Sequence, residues 1–113
     1  MGKYFLDDEK VRVTFKDGEW VDIKEELTQA DQDYIMNQMT SAGQHGGTAT
    51  IEFKLGQMGL LERSILDWSF ADGETKILVT PENISRLRLR YRTKVLEEIN
   101  SLNEKATEFV RKN

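Results

Sequence analysis

The stretch RLRLRYRTK at 86–94 places Arg86, Arg88, Arg90, Arg92 and Lys94 side by side with no acid among them. Guanidinium groups offer paired donors to carboxylates and phosphates, so the chemistry on offer is anion binding. On a continuous helix Arg86, Arg90 and Lys94 fall on one stripe, and Arg88 and Arg92 on a neighbouring one. Like charges at that spacing repel by about 0.3 kcal/mol per pair, which calls for something to offset them. Three readings fit: a solvated face balanced by acids elsewhere, a docking surface for an acidic protein or a second copy of the chain, and a nucleic-acid contact. The last is disfavoured, because Tyr91 is the only aromatic residue interleaved with the basic ones, whereas single-strand binders alternate cations with several stacking rings.

Other reactive residue types stand alone. His45 is the only histidine and sits in a glycine-rich stretch with no second ligand at metal-site spacing. Cysteine is absent, which removes thiolate metal sites, disulfides and a thiol nucleophile. Ser41, Ser64 and Ser69 lack the G-x-S-x-G setting of a hydrolase nucleophile. GQHGG has no Lys-Ser/Thr end, so it is not a phosphate-binding P-loop. Gly56-Gln-Met-Gly59 matches the bare GXXG of a KH domain, yet Gln57 and Met58 bring no positive charge to phosphates. The acidic pairs Asp7-Asp8 and Glu25-Glu26 read as solvated charge. No catalytic residue, cofactor site or metal site is expected.

The charges are unevenly spread. The formal net charge is −4, from 16 basic and 20 acidic residues. Five of the basic residues lie in 86–94, leaving 11 against 20 elsewhere. The first 33 residues hold ten acids and five bases. An acidic chain with one basic run fits protein contacts better than broad nucleic-acid binding. No apolar segment approaches the roughly 20 residues that span a bilayer. The start, MGKYFLDDEK, offers only Tyr-Phe-Leu as an apolar run, and Leu6 stands where a myristoylation signal wants Ser or Thr. A cytoplasmic location is the expectation.

These residues must be positioned by a chain of 113 residues, which suits one domain with a modest core. Residues 11–23, VRVTFKDGEWVDI, predict a β-hairpin: Val11, Val13 and Phe15 alternate, Asp17-Gly18 turns, and Val21 and Ile23 return. That register sets Trp20 on the opposite face, where it either covers the edge of a helix or anchors a partner. Thr28 and Asp31 form a capping box that opens a helix over 28–41, with Tyr34, Ile35 and Met39 as its apolar stripe and Met36 beside it. SAGQHGGTA at 41–49 predicts a flexible connector. Residues 49–56 are legible as helix or strand, since Ile51, Phe53 and Leu55 alternate. A helix is expected from about Leu55 to Asp67, because Leu61, Ile65 and Trp68 recur at helical steps. Trp68 and Phe70 then anchor a turn at Asp72-Gly73, and Ile77, Leu78 and Val79 run extended. Thr80-Pro81-Glu82 starts the last helix, with Thr as N-cap and Pro at the first helical position. Its stripe runs through Ile84, Leu87, Tyr91, Val95, Ile99, Leu102, Ala106 and Phe109, and the alternating arginines could break it near Arg88 to Arg90.

Ile65-Leu66-Asp67-Trp68-Ser69-Phe70, then Val79-Thr80-Pro81-Glu82-Asn83-Ile84, then Leu96-Glu97-Glu98-Ile99-Asn100, resembles the small tail assembly chaperones of long-tailed bacteriophages. The hairpin strand Trp20-Val21-Asp22-Ile23 is similar to the N-terminal part of some members. The resemblance implies a non-enzymatic protein of the infected cell's cytoplasm that binds tape-measure protein and helps recruit tail-tube subunits. It carries over no catalytic residue and does not account for the arginine run. The fold expected is α+β: an N-terminal β-hairpin packed against about three helices, the last one long. The candidate partner-binding residues are Arg86, Arg88, Arg90, Arg92, Lys94 and Trp20, toward tail proteins or another copy of the chain. A structural virion component, such as a tail or head–tail connector protein, and a small nucleic-acid-binding regulator are the rival functions.

Overall fold

The computed structural model describes residues 9–44 and 49–112, so His45 and its flanking Gly46-Gly47 lie outside the described residues. The fold is α+β, in two layers. β1 (Lys10–Thr14) and β2 (Trp20–Lys24) form the expected hairpin, with Val13 opposite Val21 and Val11 opposite Ile23. The turn closes because Gly18 takes a φ of +90°, a conformation that any Cβ would resist. Asp17 Oδ1 accepts the Glu19 N–H at 3.0 Å, which fixes the same turn from its side chain.

A third strand, β3 (Ile65–Trp68), pairs antiparallel with β2 to give the order β1-β2-β3. This corrects the expectation of a helix reaching Asp67. Helix α2 (Ala49–Ser64) stops at Ser64. The free edge of β2 then supplies the backbone hydrogen bonds that a further helical turn would have made. Ile65 and Trp68 stay buried under either geometry, because Leu66 is the extra residue at a bulge between the Ile23 and Asp22 pairings. Helical and bulged-strand spacing therefore left the same pattern in the sequence.

α1 (Gln29–Gln44) starts as expected, with Thr28 Oγ1 accepting the Asp31 N–H at 3.1 Å and Asp31 accepting the Thr28 N–H at 2.9 Å. The connector is shorter than predicted, since α1 continues through Ser41-Ala42-Gly43 to Gln44 and α2 already begins at Ala49. Residues 49–56 are therefore helical. α1 and α2 run antiparallel: Asp31 meets Arg63, Tyr34 meets Glu62, Ile35 meets Gly59 and Met39 meets Gly56. The glycines that resemble a KH loop thus lie inside a helix, where they let α1 approach. A Cβ on Gly56 would stand 3.0 Å from Met39 Sδ.

Beyond the sheet, β4 (Ala71–Asp72) and β5 (Thr75–Lys76) make a short hairpin around Gly73, whose φ is +65°. α3 (Pro81–Ser85) opens with Thr80 Oγ1 accepting the Asn83 N–H at 3.2 Å, as the Thr-Pro pair predicts. It ends after five residues, and α4 (Leu89–Lys112) begins anew. The break falls at 86–88, slightly before the place the arginine alternation suggested. α4 has 24 residues and runs about 36 Å at 1.5 Å per residue.

The core joins the sheet's apolar face to three helices. Val13, Phe15, Val21, Ile23, Ile65 and Trp68 meet Leu61 from α2, Ile84 from α3, and Val95 and Ile99 from α4. On the sheet's other face Asp22 is only 1% exposed, held by Arg12 at 2.8 and 3.1 Å and by Lys10 at 3.4 Å. Of the α1 stripe, Met36 points to solvent at 60% exposure.

Candidate functional site

The sequence-predicted residues separate in space. Arg86 caps the end of α3, its N–H donating to the Asn83 carbonyl at 3.1 Å while the Leu87 N–H donates to that of Ile84 at 3.2 Å. Arg88 lies in the break, while Arg90, Arg92 and Lys94 belong to the first turns of α4. The single stripe Arg86-Arg90-Lys94 is thereby corrected: the break takes Arg86 off the helix that carries Arg90 and Lys94.

Each cation then has a different setting. Lys94 Nζ donates to the Thr14 carbonyl at 2.9 Å and stands 5.8 Å from the Phe15 ring, so it fastens α4 to the hairpin. Arg90 lies 4.8 Å over the Tyr91 ring and donates to the Tyr91 hydroxyl at 3.1 Å. Tyr91 in turn donates to Asp17 in the β1–β2 turn. That hydroxyl and the Glu19 N–H hold the Asp17 carboxyl below its usual range. Arg86, Arg88 and Arg92 make no ion pair among the described residues.

Arg86, Arg88 and Arg90 line a groove of about 650 Å³. The same groove is lined by Asp72 from β4 and by Asp17 and Glu19 from the first hairpin. Its floor is aromatic. Phe70 lies 5.4 Å from Trp68 and 5.0 Å from Tyr91, and Phe15 lies 4.8 Å from Tyr91 in an edge contact. The Trp68 Nε1–H donates to the Ile77 carbonyl at 2.6 Å, which ties the β4–β5 extension down beside the groove. The segment between Trp68 and Thr80 is thus clamped by the indole, and Trp68, Phe70 and Ile77 line the groove.

Trp20 does not line this groove. Its ring is covered at 3.7 Å by the Arg12 guanidinium from the adjacent strand rather than by a helix edge. Its backbone N–H and carbonyl are bonded to Ser69. Of the serines, Ser69 donates to Glu19 at 2.5 Å, and Ser64 Oγ is buried with no partner. Neither stands beside a basic side chain that could activate it.

Sequence reasoning missed a second surface. Met58 and Leu61 on α2 and Leu89 and Leu96 on α4 line an apolar groove of about 520 Å³, rimmed by Lys54, Arg92 and Glu97. Leu89 is 66% exposed, although it sits at the first position of α4. The helical stripe ran through Leu87, which packs on the core, and passed over Leu89. Among the described residues, no group of three acids or histidines could hold a metal, and no helix is long and apolar enough to cross a membrane. The chain matches no protein-family model, no curated protein and no solved structure.

Proposed function

We propose that this chain is a non-enzymatic tail assembly chaperone of a long-tailed bacteriophage, acting in the cytoplasm of the infected cell by holding apolar helical stretches of the tape-measure protein. The observation that carries this reading is the α2–α4 groove, whose Met58, Leu89 and Leu96 present an apolar strip beside charged rims. Burying an exposed leucine in a partner is worth about 2 kcal/mol, and a methionine adapts its shape to irregular side chains. The charged surface around the strip keeps such a complex soluble. The resemblance around Trp68, Thr80-Pro81 and Glu97-Glu98-Ile99 supplies the tail-assembly context.

Co-expression with the tape-measure protein tests it. The intact chain is expected to raise the soluble fraction of that protein and to co-purify with it, whereas Leu89→Glu lowers both. Leu89 is exposed, so the substitution leaves the fold in place, and a circular dichroism spectrum checks this. Mass analysis of purified particles is expected to find no copies of the chain. Stoichiometric presence in the particle would make it a structural virion component, and an unchanged tape-measure solubility would end the chaperone reading.

A further inference from the structure

We infer that the arginine-lined groove at the α3–α4 break is a second docking site, and that its occupant is an acidic peptide segment carrying one apolar anchor residue. The inference is independent of the chaperone reading, because it rests on a different surface and on different residues.

Charge complementarity is the first ground. Within the groove the acids are already engaged on the first hairpin: Asp17 accepts from Tyr91 and from the Glu19 N–H, and Glu19 accepts from Ser69. Arg90 is likewise occupied by the Tyr91 ring. Arg86 and Arg88 remain exposed, two residues apart, with no carboxylate partner among the described residues. Guanidinium groups without a carboxylate partner take carboxylates in paired hydrogen bonds. The break at 86–88 is what frees them: on an unbroken helix Arg86 would stack on Arg90 and point along the helix instead of into the groove mouth.

The second ground is the floor. Phe70, Leu87 and Tyr91 are each only half-buried, so an apolar side chain entering the groove removes their remaining surface from water. Edge and face contacts among Phe15, Trp68, Phe70 and Tyr91 hold that floor rigid, which lowers the ordering cost on binding.

The balance of charge decides between peptide and nucleic acid. Asp17, Glu19 and Asp72 line the same groove as Arg86, Arg88 and Arg90, so it has no net positive field. A nucleic-acid strand carries a phosphate at every residue and is drawn to uniformly basic surfaces. A peptide can present carboxylates to Arg86 and Arg88 and neutral groups to the acids.

Fluorescence polarisation at low salt provides the test, with a labelled synthetic peptide of alternating Glu and Ala around a central Phe. Saturable binding is expected, weakening as salt rises, and it should be lost when Lys replaces Glu and weakened when Ser replaces the Phe. The double variant Arg86→Glu/Arg88→Glu is expected to lower affinity about tenfold or more, since two favourable pairs become two repulsive ones. The amides of Phe70, Leu87, Arg88 and Tyr91 should shift in NMR spectra on titration. If charge reversal disturbs folding, Arg86→Ala/Arg88→Ala gives the same reading with less repulsion. No saturable binding at low salt, or double variants that bind as tightly as the parent chain, would overturn the site. Tighter binding of single-stranded oligothymidylate than of the peptide would overturn its occupant.

Discussion

Asp31 is where one side chain does most to hold the molecule. Its carboxylate is 0% exposed and accepts from Lys24 at 2.9 Å, from Arg63 at 2.8 Å and from the Thr28 N–H, while its own N–H caps back to Thr28. Burial alone would raise its pKa. The bonds from Lys24, the Thr28 backbone and Arg63 outweigh that and hold it at about 2, below the ordinary 3.8. A depressed folded-state pKa means that the unfolded chain binds the proton first. The stabilisation is therefore complete above about pH 4 and is lost as pH falls toward 2. Asp31→Asn is expected to cost about 3 kcal/mol at neutral pH, because it leaves two cations facing an uncharged amide. It should also flatten the acid limb of stability against pH, which urea titrations at stepped pH would read. A variant as stable as the parent, with an unchanged acid limb, would show that the two cations find water equally good.

At the scale of elements, Gly56 and Gly59 show how residues that weaken a helix can sit where a neighbouring helix comes close. A Cβ on Gly59 would meet Ile35 Cα at 3.5 Å, an ordinary van der Waals contact with backbone that cannot swing away. Gly59→Ala is therefore expected to gain up to about 1 kcal/mol from helix propensity. Gly59→Leu should lose about 2 kcal/mol, because the longer side chain must push α1 off α2. Opposite signs in the two denaturation midpoints would verify the close approach, and equal losses would refute it. The same pair explains what the sequence did and did not reveal. The first hairpin, the Thr28–Asp31 box and the Thr80-Pro81 start were legible, since a turn or cap is decided by a few adjacent residues. β3 was hidden because Leu61, Ile65 and Trp68 satisfy the helical period while a bulge at Leu66 lets a strand bury the same residues. The groove was half legible. The arginine run announced an anion site, but the same groove is lined by Asp17, Glu19 and Asp72, which only the tertiary fold brings near.

The whole molecule is unequally fastened. β1, β2, β3, α2, α3 and α4 all contribute apolar side chains to the core, but among the described residues α1 contributes none. It is held by the Asp31 ion pairs to β2 and α2, by the Tyr34–Glu62 hydrogen bond at 2.5 Å, and by its packing against the two glycines. Polar contacts of this kind exchange protein partners for water at little net gain, whereas the apolar core does not. α1 should therefore open at a lower free energy than the rest, as a separate cooperative unit. Native-state hydrogen exchange is the measurement: amides 33–40 in α1 are expected to exchange through a subglobal opening, while amides 95–102 in α4 exchange only on global unfolding. Asp31→Asn should then widen the gap, lowering protection in α1 more than in α4, because it removes the tie that spans β2, α1 and α2. Acidification toward pH 2 should do the same in the parent chain, for it protonates the same carboxylate. Equal protection in both helices, lowered in parallel by the substitution, would mean that α1 belongs to the core unit after all. It would also place the stabilising role of Asp31 in the global fold rather than in the docking of one helix.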